Sequence, residues 1–182
     1  MTYLKWSFYA LVALALAALL HYSLPSRDIV YITGQDVKRV DSVLTDAEGR
    51  EISASRDVSF IYAAFPDGSE IVYRNEDTDL GWPPYLKFDT ATISSRAENA
   101  VSSRAAPEWK IVTHYGWRFE FLSMFENVVA IEDADSPEQR LVPWFNIAVI
   151  ALLVALLLTV RWYLVRKYER HIEPLIDGDP NT

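Results

Sequence analysis

Apolar residues gather into two long blocks, one towards each end of the chain, with short alternating runs between them. The first block covers residues 4–22. A helix needs about 20 apolar residues to cross the hydrocarbon core of a bilayer, and this block just reaches that length. Trp6, Phe8 and Tyr9 mark one boundary and His21 and Tyr22 the other, in the manner of interfacial aromatic belts. A cleaved leader is the competing reading, since the block has a basic start and an Ala/Leu-rich middle. Its small-x-small triplets, such as Ala15-Leu16-Ala17, lie inside the apolar run, and the stretch after it offers no good cleavage site. A retained span is therefore expected.

The second block covers residues 144–160, and its core carries one polar residue, Thr159. A threonine can return its hydroxyl to a backbone carbonyl, so it costs little in lipid. Arg161, Arg166, Lys167 and Arg170 crowd one flank, whereas Arg140 alone stands near the other. Basic flanks stay in the cytoplasm, which places the C-terminus inside. Lys5 does the same for the N-terminus, and the middle is expected outside. The organisation read from this is a first span (1–23), an exported domain (24–142), a second span with a basic extension (143–170) and a short tail (171–182).

Between the blocks the period changes to that of strands. Residues 28–40 are rich in β-branched and aromatic side chains and read as a strand kinked near Gly34. Residues 41–56 are polar and read as a long loop. Residues 58–62 and 71–73 flank Pro66-Asp67-Gly68-Ser69, a turn signature, and form a hairpin. Pro83 and Pro84 forbid a central strand in the next stretch. Asp89 is a candidate N-cap for a helix over residues 90–104, with Ile93, Ala97, Ala100 and Val101 on one face. Residues 109–115 are a strand, 116–118 a turn, 119–125 a single helical turn and 128–132 a last strand. The order β-β-β-α-β-β suits a small five-stranded barrel of the OB type. An α+β sheet with the helix on one face is the alternative.

Charge narrows the partners. Residues 22–142 hold 12 Lys+Arg and 21 Asp+Glu within a chain of net charge −8. An acidic domain lacks the basic face that nucleic acid requires. The absence of cysteine removes disulfides, thiolate chemistry and zinc–sulfur sites. No cofactor is expected, and no nucleophile, carboxylate pair or metal set stands at motif spacing, so an enzyme is not expected.

Three groups of residues are candidates for chemistry. Glu76, Asp77 and Asp79 could approach a hard cation, but the EF-hand spacing is missing and a solvated acidic loop is the plainer reading. His114 reads as a strand histidine with its hydrogen bonds satisfied. Trp82 and Tyr85 in one loop, and Tyr115, Trp117 and Arg118 in another, sit at strand ends. Were they to converge, they would form an aromatic patch with one cation, suited to a sugar, a peptide or a lipid headgroup. The competing reading is that these rings close the barrel end or dock on its membrane-proximal surface.

Residues 72–78 (VYRNEDT), 81–90 (GWPPYLKFDT), 114–118 (HYGWR) and 143–147 (PWFNI) together resemble an uncharacterised family of bacterial inner-membrane proteins, a domain of unknown function. The resemblance runs from the first span through the second. It implies a Gram-negative inner membrane and a periplasmic middle domain, and it brings no activity, cofactor or catalytic residue. The expected role is a membrane-anchored interaction or scaffold module for another envelope protein, with Ala10, Ala13, Ala17 and Ala18 as a helix-packing face. The alternative is a periplasmic small-ligand or sensing domain that uses the aromatic loops.

Overall fold

A computed structural model describes residues 2–45, 51–78 and 81–171. Helix α1 (Thr2–Ser23) runs directly into β1 (Ser26–Thr45), followed by β2 (Glu51–Ala64), β3 (Glu70–Asn75), α2 (Thr90–Asn99), β4 (Trp109–Tyr115), β5 (Asn127–Asp133) and α3 (Trp144–His171). The strands close into a barrel in the order β1-β2-β3-β5-β4. Neighbours pair antiparallel except β3 and β5, which meet in parallel at Arg74 and Asn127. With a helix between β3 and β4, this is the OB-like barrel expected from the element order, and the open α+β sheet does not apply.

Two units make up the chain, residues 1–141 and 142–182. In the second, α3 is long and apolar enough to cross a membrane over Trp144–Tyr168, and α1 is so over Lys5–Ser23. Thr159 Oγ1 donates to the Ala155 carbonyl at 2.8 Å, so its one central hydroxyl is satisfied within the helix.

The barrel interior is built from alternate residues in β1 and β2, while in β5 a bulge spaces the inward residues three apart. Val30 and Ile32 of β1, Ile61 and Ala63 of β2, Tyr73 of β3, Val112 of β4, and Val128 and Ile131 of β5 form one cluster with Ile93, Ala97 and Ala100 of α2. Each fully buried aliphatic side chain contributes about 1.5–3 kcal/mol. The kink foreseen at Gly34 is a register shift between Ile32 and Gly34, where β1 bends from one barrel wall to the next. The hairpin turn forms as its sequence requires. Gly68 takes φ +87°, and Asp67 Oδ1 accepts from the Ser69 N–H at 2.8 Å and its hydroxyl at 2.6 Å.

Three expectations are corrected. Residues 41–56 are not one long loop. β1 and β2 stay paired from Asp41 with Ser55 to Thr45 with Glu51. Residues 41–56 are polar and lack the alternation of a half-buried strand, so the sequence gives no period from which to read this ribbon. Helix α2 ends at Asn99 rather than at residue 104, because Val101 bridges to Ile32 and the Ser102 N–H donates to the Ile32 carbonyl at 2.8 Å. Capture by the sheet outcompetes another helical turn. Asp89 makes no side-chain cap. Asp77 does so from outside the helix, accepting from the Thr90 N–H at 3.0 Å and the Thr90 hydroxyl at 2.7 Å. The single turn expected within 119–125 is a 3₁₀ turn at Glu120–Leu122.

Candidate functional site

The first aromatic loop turns at Trp82-Pro83, a cis peptide. Both aromatic loops converge on the last turn of α1. The Trp82 indole N–H donates to Ser23 Oγ at 3.1 Å, and the Tyr85 hydroxyl donates to the Ser23 carbonyl at 2.7 Å. From the other loop, the Trp117 indole N–H donates to His21 Nδ1 at 3.0 Å. The Gly116 N–H donates to the Tyr22 carbonyl at 3.1 Å. Tyr85 and Tyr115 stack with centroids 4.5 Å apart, and Tyr22 lies edge-on to Tyr115 and Trp117 at 6.3 and 5.4 Å. Unpaired carbonyls are what a helix C-terminus leaves over, and two of these donors satisfy them. Gly116 can serve because it tolerates φ +106°.

Trp82, Tyr85, Tyr115 and Trp117 therefore come together, around a segment the sequence reading assigned only to the span. Arg118 is engaged elsewhere. Its guanidinium lies 4.4 Å from the Phe125 ring centroid and donates to the Met124 carbonyl at 3.1 Å. Beside this strap the loops present exposed apolar side chains: Trp82, Phe119, Phe121 and Leu122. Phe119 packs edge-on to Trp117 at 5.9 Å.

A polar seam runs beneath the strap. Asn127 Oδ1 accepts from the Glu76 N–H, and its amide donates to the Glu76 carbonyl and the Tyr115 hydroxyl, at 2.9–3.0 Å. Buried Lys87 donates to Asn75 Oδ1 and to the Glu76 carbonyl. Burial pushes the Lys87 ammonium down to about 8, against the pull of Asp89, Asp77 and Glu76. Of the acidic run, Glu76 pairs with Arg74 at 3.0 Å and Asp77 caps α2, while Asp79 lies outside the described residues.

His114 is the residue whose surroundings differ most from its expected ones. β1 and β4 pair Ser26 with His114 and Asp28 with Val112, so Asp28 and His114 are diagonal neighbours on one face. β4 and β5 pair His114 with Val128, which puts Glu126 diagonal to it on the other side. By register all three share the face of Val30, Val112 and Val128, which line the barrel interior. Asp28 Oδ2 lies 3.0 Å from His114 Nε2, and Glu126 Oε2 lies 3.3 Å from Nδ1. Neither oxygen stands where a ring N–H would direct a hydrogen bond, so both buried nitrogens lack one. The Tyr73 hydroxyl donates to Asp28 Oδ2 at 2.7 Å. Burial alone would raise the Asp28 carboxyl, but His114 and Tyr73 outweigh it and hold the group below the usual range. Burial raises the Glu126 carboxyl; His114 opposes the rise and Asp28 adds to it. Tyr73 is itself pushed far up by burial and by Asp28. The sequence offered no spacing signal for this group, because its members meet only through strand register.

Residues 1–169 match the family described as "Protein of unknown function (DUF1523)". An uncharacterized protein of Haemophilus influenzae is 31% identical over 150 residues, covering 80% of this chain and 83% of the relative. No solved structure matches. The matched span takes in α1, the whole barrel and nearly all of α3, and on that extent the chain belongs to the DUF1523 family of proteins of unknown function.

Proposed function

We propose that the chain is a membrane-anchored module that holds its barrel on the periplasmic face of a bacterial inner membrane, both termini in the cytoplasm, to bind or scaffold another envelope protein. The observation that supports this is the strap. Aromatic loops from two parts of the barrel are bonded to the turn where α1 ends, which fixes the barrel to the exit of an apolar helix of spanning length. A soluble domain on a free tether would need no such bonds. The apolar rim of Trp82, Phe119, Phe121 and Leu122 beside the strap suits the headgroup region of the outer leaflet. Basic residues 161, 166 and 167 beyond the second apolar segment support the orientation.

Alkaline phosphatase fused after residue 75 should be active and fused after residue 171 inactive. The reverse pattern would overturn the orientation. Crosslinking in cells followed by purification in mild detergent should return a constant envelope protein with the chain. Recovery of the chain alone, from repeated preparations, would sink the scaffold reading.

A second reading, a small-ligand domain, is favoured by a different place from the aromatic loops. An open cleft of about 520 Å³ on the barrel wall is lined by Lys38, Phe60, Tyr62, Arg74 and Phe125 among others. The Lys38 ammonium lies 5.7 and 5.8 Å from the Phe60 and Tyr62 ring centroids. Cations over aromatic faces suit an anionic sugar. Titration with acidic oligosaccharides, read by tyrosine fluorescence, should saturate; a flat response in wild type would remove this reading.

A further inference from the structure

We propose that Asp28, His114 and Glu126 form a binding site for a divalent transition-metal ion, with zinc the best fit. One ligand-type atom from each residue lies within 4.8 Å of the others. Asp28 and His114 come from paired strands β1 and β4, and Glu126 is the residue before β5, held to β3 where its carbonyl accepts from the Arg74 N–H at 2.8 Å. The His114 side chain is 5% exposed, and its two nitrogens lack directed hydrogen bonds although carboxylate oxygens stand 3.0 and 3.3 Å away. A buried imidazole ordinarily satisfies both nitrogens. Here the oxygens are close enough to share an ion with the ring, yet badly placed to accept its proton.

Charge points the same way. Two carboxylates and an imidazole gather in a half-enclosed place, and a dication there offsets the charge of the carboxylates. Asp28 and Glu126 remain 26% and 17% exposed, which leaves a path in from solvent.

The donor set selects the ion. One nitrogen and two carboxylate oxygens suit zinc, manganese or ferrous iron. Calcium and magnesium prefer oxygen alone, and copper(I) prefers sulfur, which this cysteine-free chain lacks. Zinc–ligand bonds of about 2.0–2.2 Å set tetrahedral ligand edges of roughly 3.3–3.6 Å. An ion takes one ring nitrogen, and side-chain rotation brings the carboxylates to it. The Tyr73 hydroxyl on Asp28 Oδ2 is the kind of outer partner that orients a ligating carboxylate. Three protein ligands leave one position for water.

The test is calorimetry on the full chain in detergent, stripped with chelator and titrated with zinc chloride and, separately, calcium chloride. Wild type should take up one zinc per chain and rise in melting temperature. His114→Ala should lose both effects. Asp28→Asn and Glu126→Gln keep size and fold and should weaken zinc at least tenfold, while Glu132→Gln, an exposed neighbour on the outer wall, should not. If His114→Ala fails to fold, the two carboxamide variants decide. No zinc uptake by wild type, unchanged uptake in both carboxamide variants, or equal binding of calcium would each overturn the proposal.

Discussion

Replacing Lys87 with Met should erase a pH dependence that the wild-type barrel carries between pH 8 and pH 10. The Lys87 side chain is buried, with its ammonium on Asn75 and the Glu76 carbonyl. Burial lowers its pKa from the ordinary 10.5 to about 8. Between those values the unfolded chain binds the proton and the folded chain has released it, so stability rises with pH. Linkage over two pH units from 8 to 10 gives about 2 kcal/mol, and partial solvent screening makes that an upper figure. For a barrel of this size that is roughly 8 °C in melting temperature. Thermal unfolding followed by tryptophan fluorescence in detergent, on wild type and Lys87→Met at pH 8, 9 and 10, reads it. The difference between the two proteins isolates Lys87 from every other titrating group. Parallel profiles would mean that Lys87 does not titrate in this window and that the seam does not impose the desolvation described.

Asp77→Ala should cost about 1 kcal/mol by removing the cap on Thr90, whereas Asp89→Ala should change urea unfolding by less than about 0.5 kcal/mol. Equal losses would return the cap to Asp89. Tyr85→Phe removes one bond to the Ser23 carbonyl and should cost about 1 kcal/mol, with faster hydrogen exchange in the last turn of α1 and in Gly116. Unchanged exchange there would mean that the strap does not restrain the helix end. Gly116→Ala should destabilise by about 1–2 kcal/mol through its positive φ alone, since an added Cβ would meet only ordinary contacts at 3.7 and 3.9 Å. Gly34→Ala, with open space and no positive φ, should be neutral or slightly stabilising in the same denaturation assay.

The barrel was legible where side chains answer to a local rule. The β-branched and aromatic run of residues 109–115 reads as a strand with the bounds it has, and Pro66-Asp67-Gly68 marks the hairpin, because strand preference and turn chemistry act within a few neighbours. The order of elements then carried the closed topology. What was hidden depended on distant pairing. The cap of α2 lies on Asp77, 13 residues before the Thr90 it serves, so a search just ahead of the helix finds Asp89 instead. The aromatic loops stood out by composition, but their contacts with His21 and Ser23 cross 96 and 59 residues. Asp28, His114 and Glu126 are an ordinary acid, a strand histidine and another acid until register makes them neighbours.

The ribbon of β1 and β2 sets a length scale for the molecule. β3 leaves β2 at Ser59 and β4 leaves β1 at Tyr31, so, among the described residues, 38–45 and 51–58 pair with each other alone. Eight such pairs, at about 3.3 Å each, reach roughly 26 Å beyond the last neighbouring strand. Both long edges of this arm carry backbone donors and acceptors that no third strand of the barrel covers, the arrangement through which an extended peptide adds to a sheet. At about 26 Å that reach is close to the thickness of a bilayer hydrocarbon core, so the arm is long on the scale of the barrel that bears it.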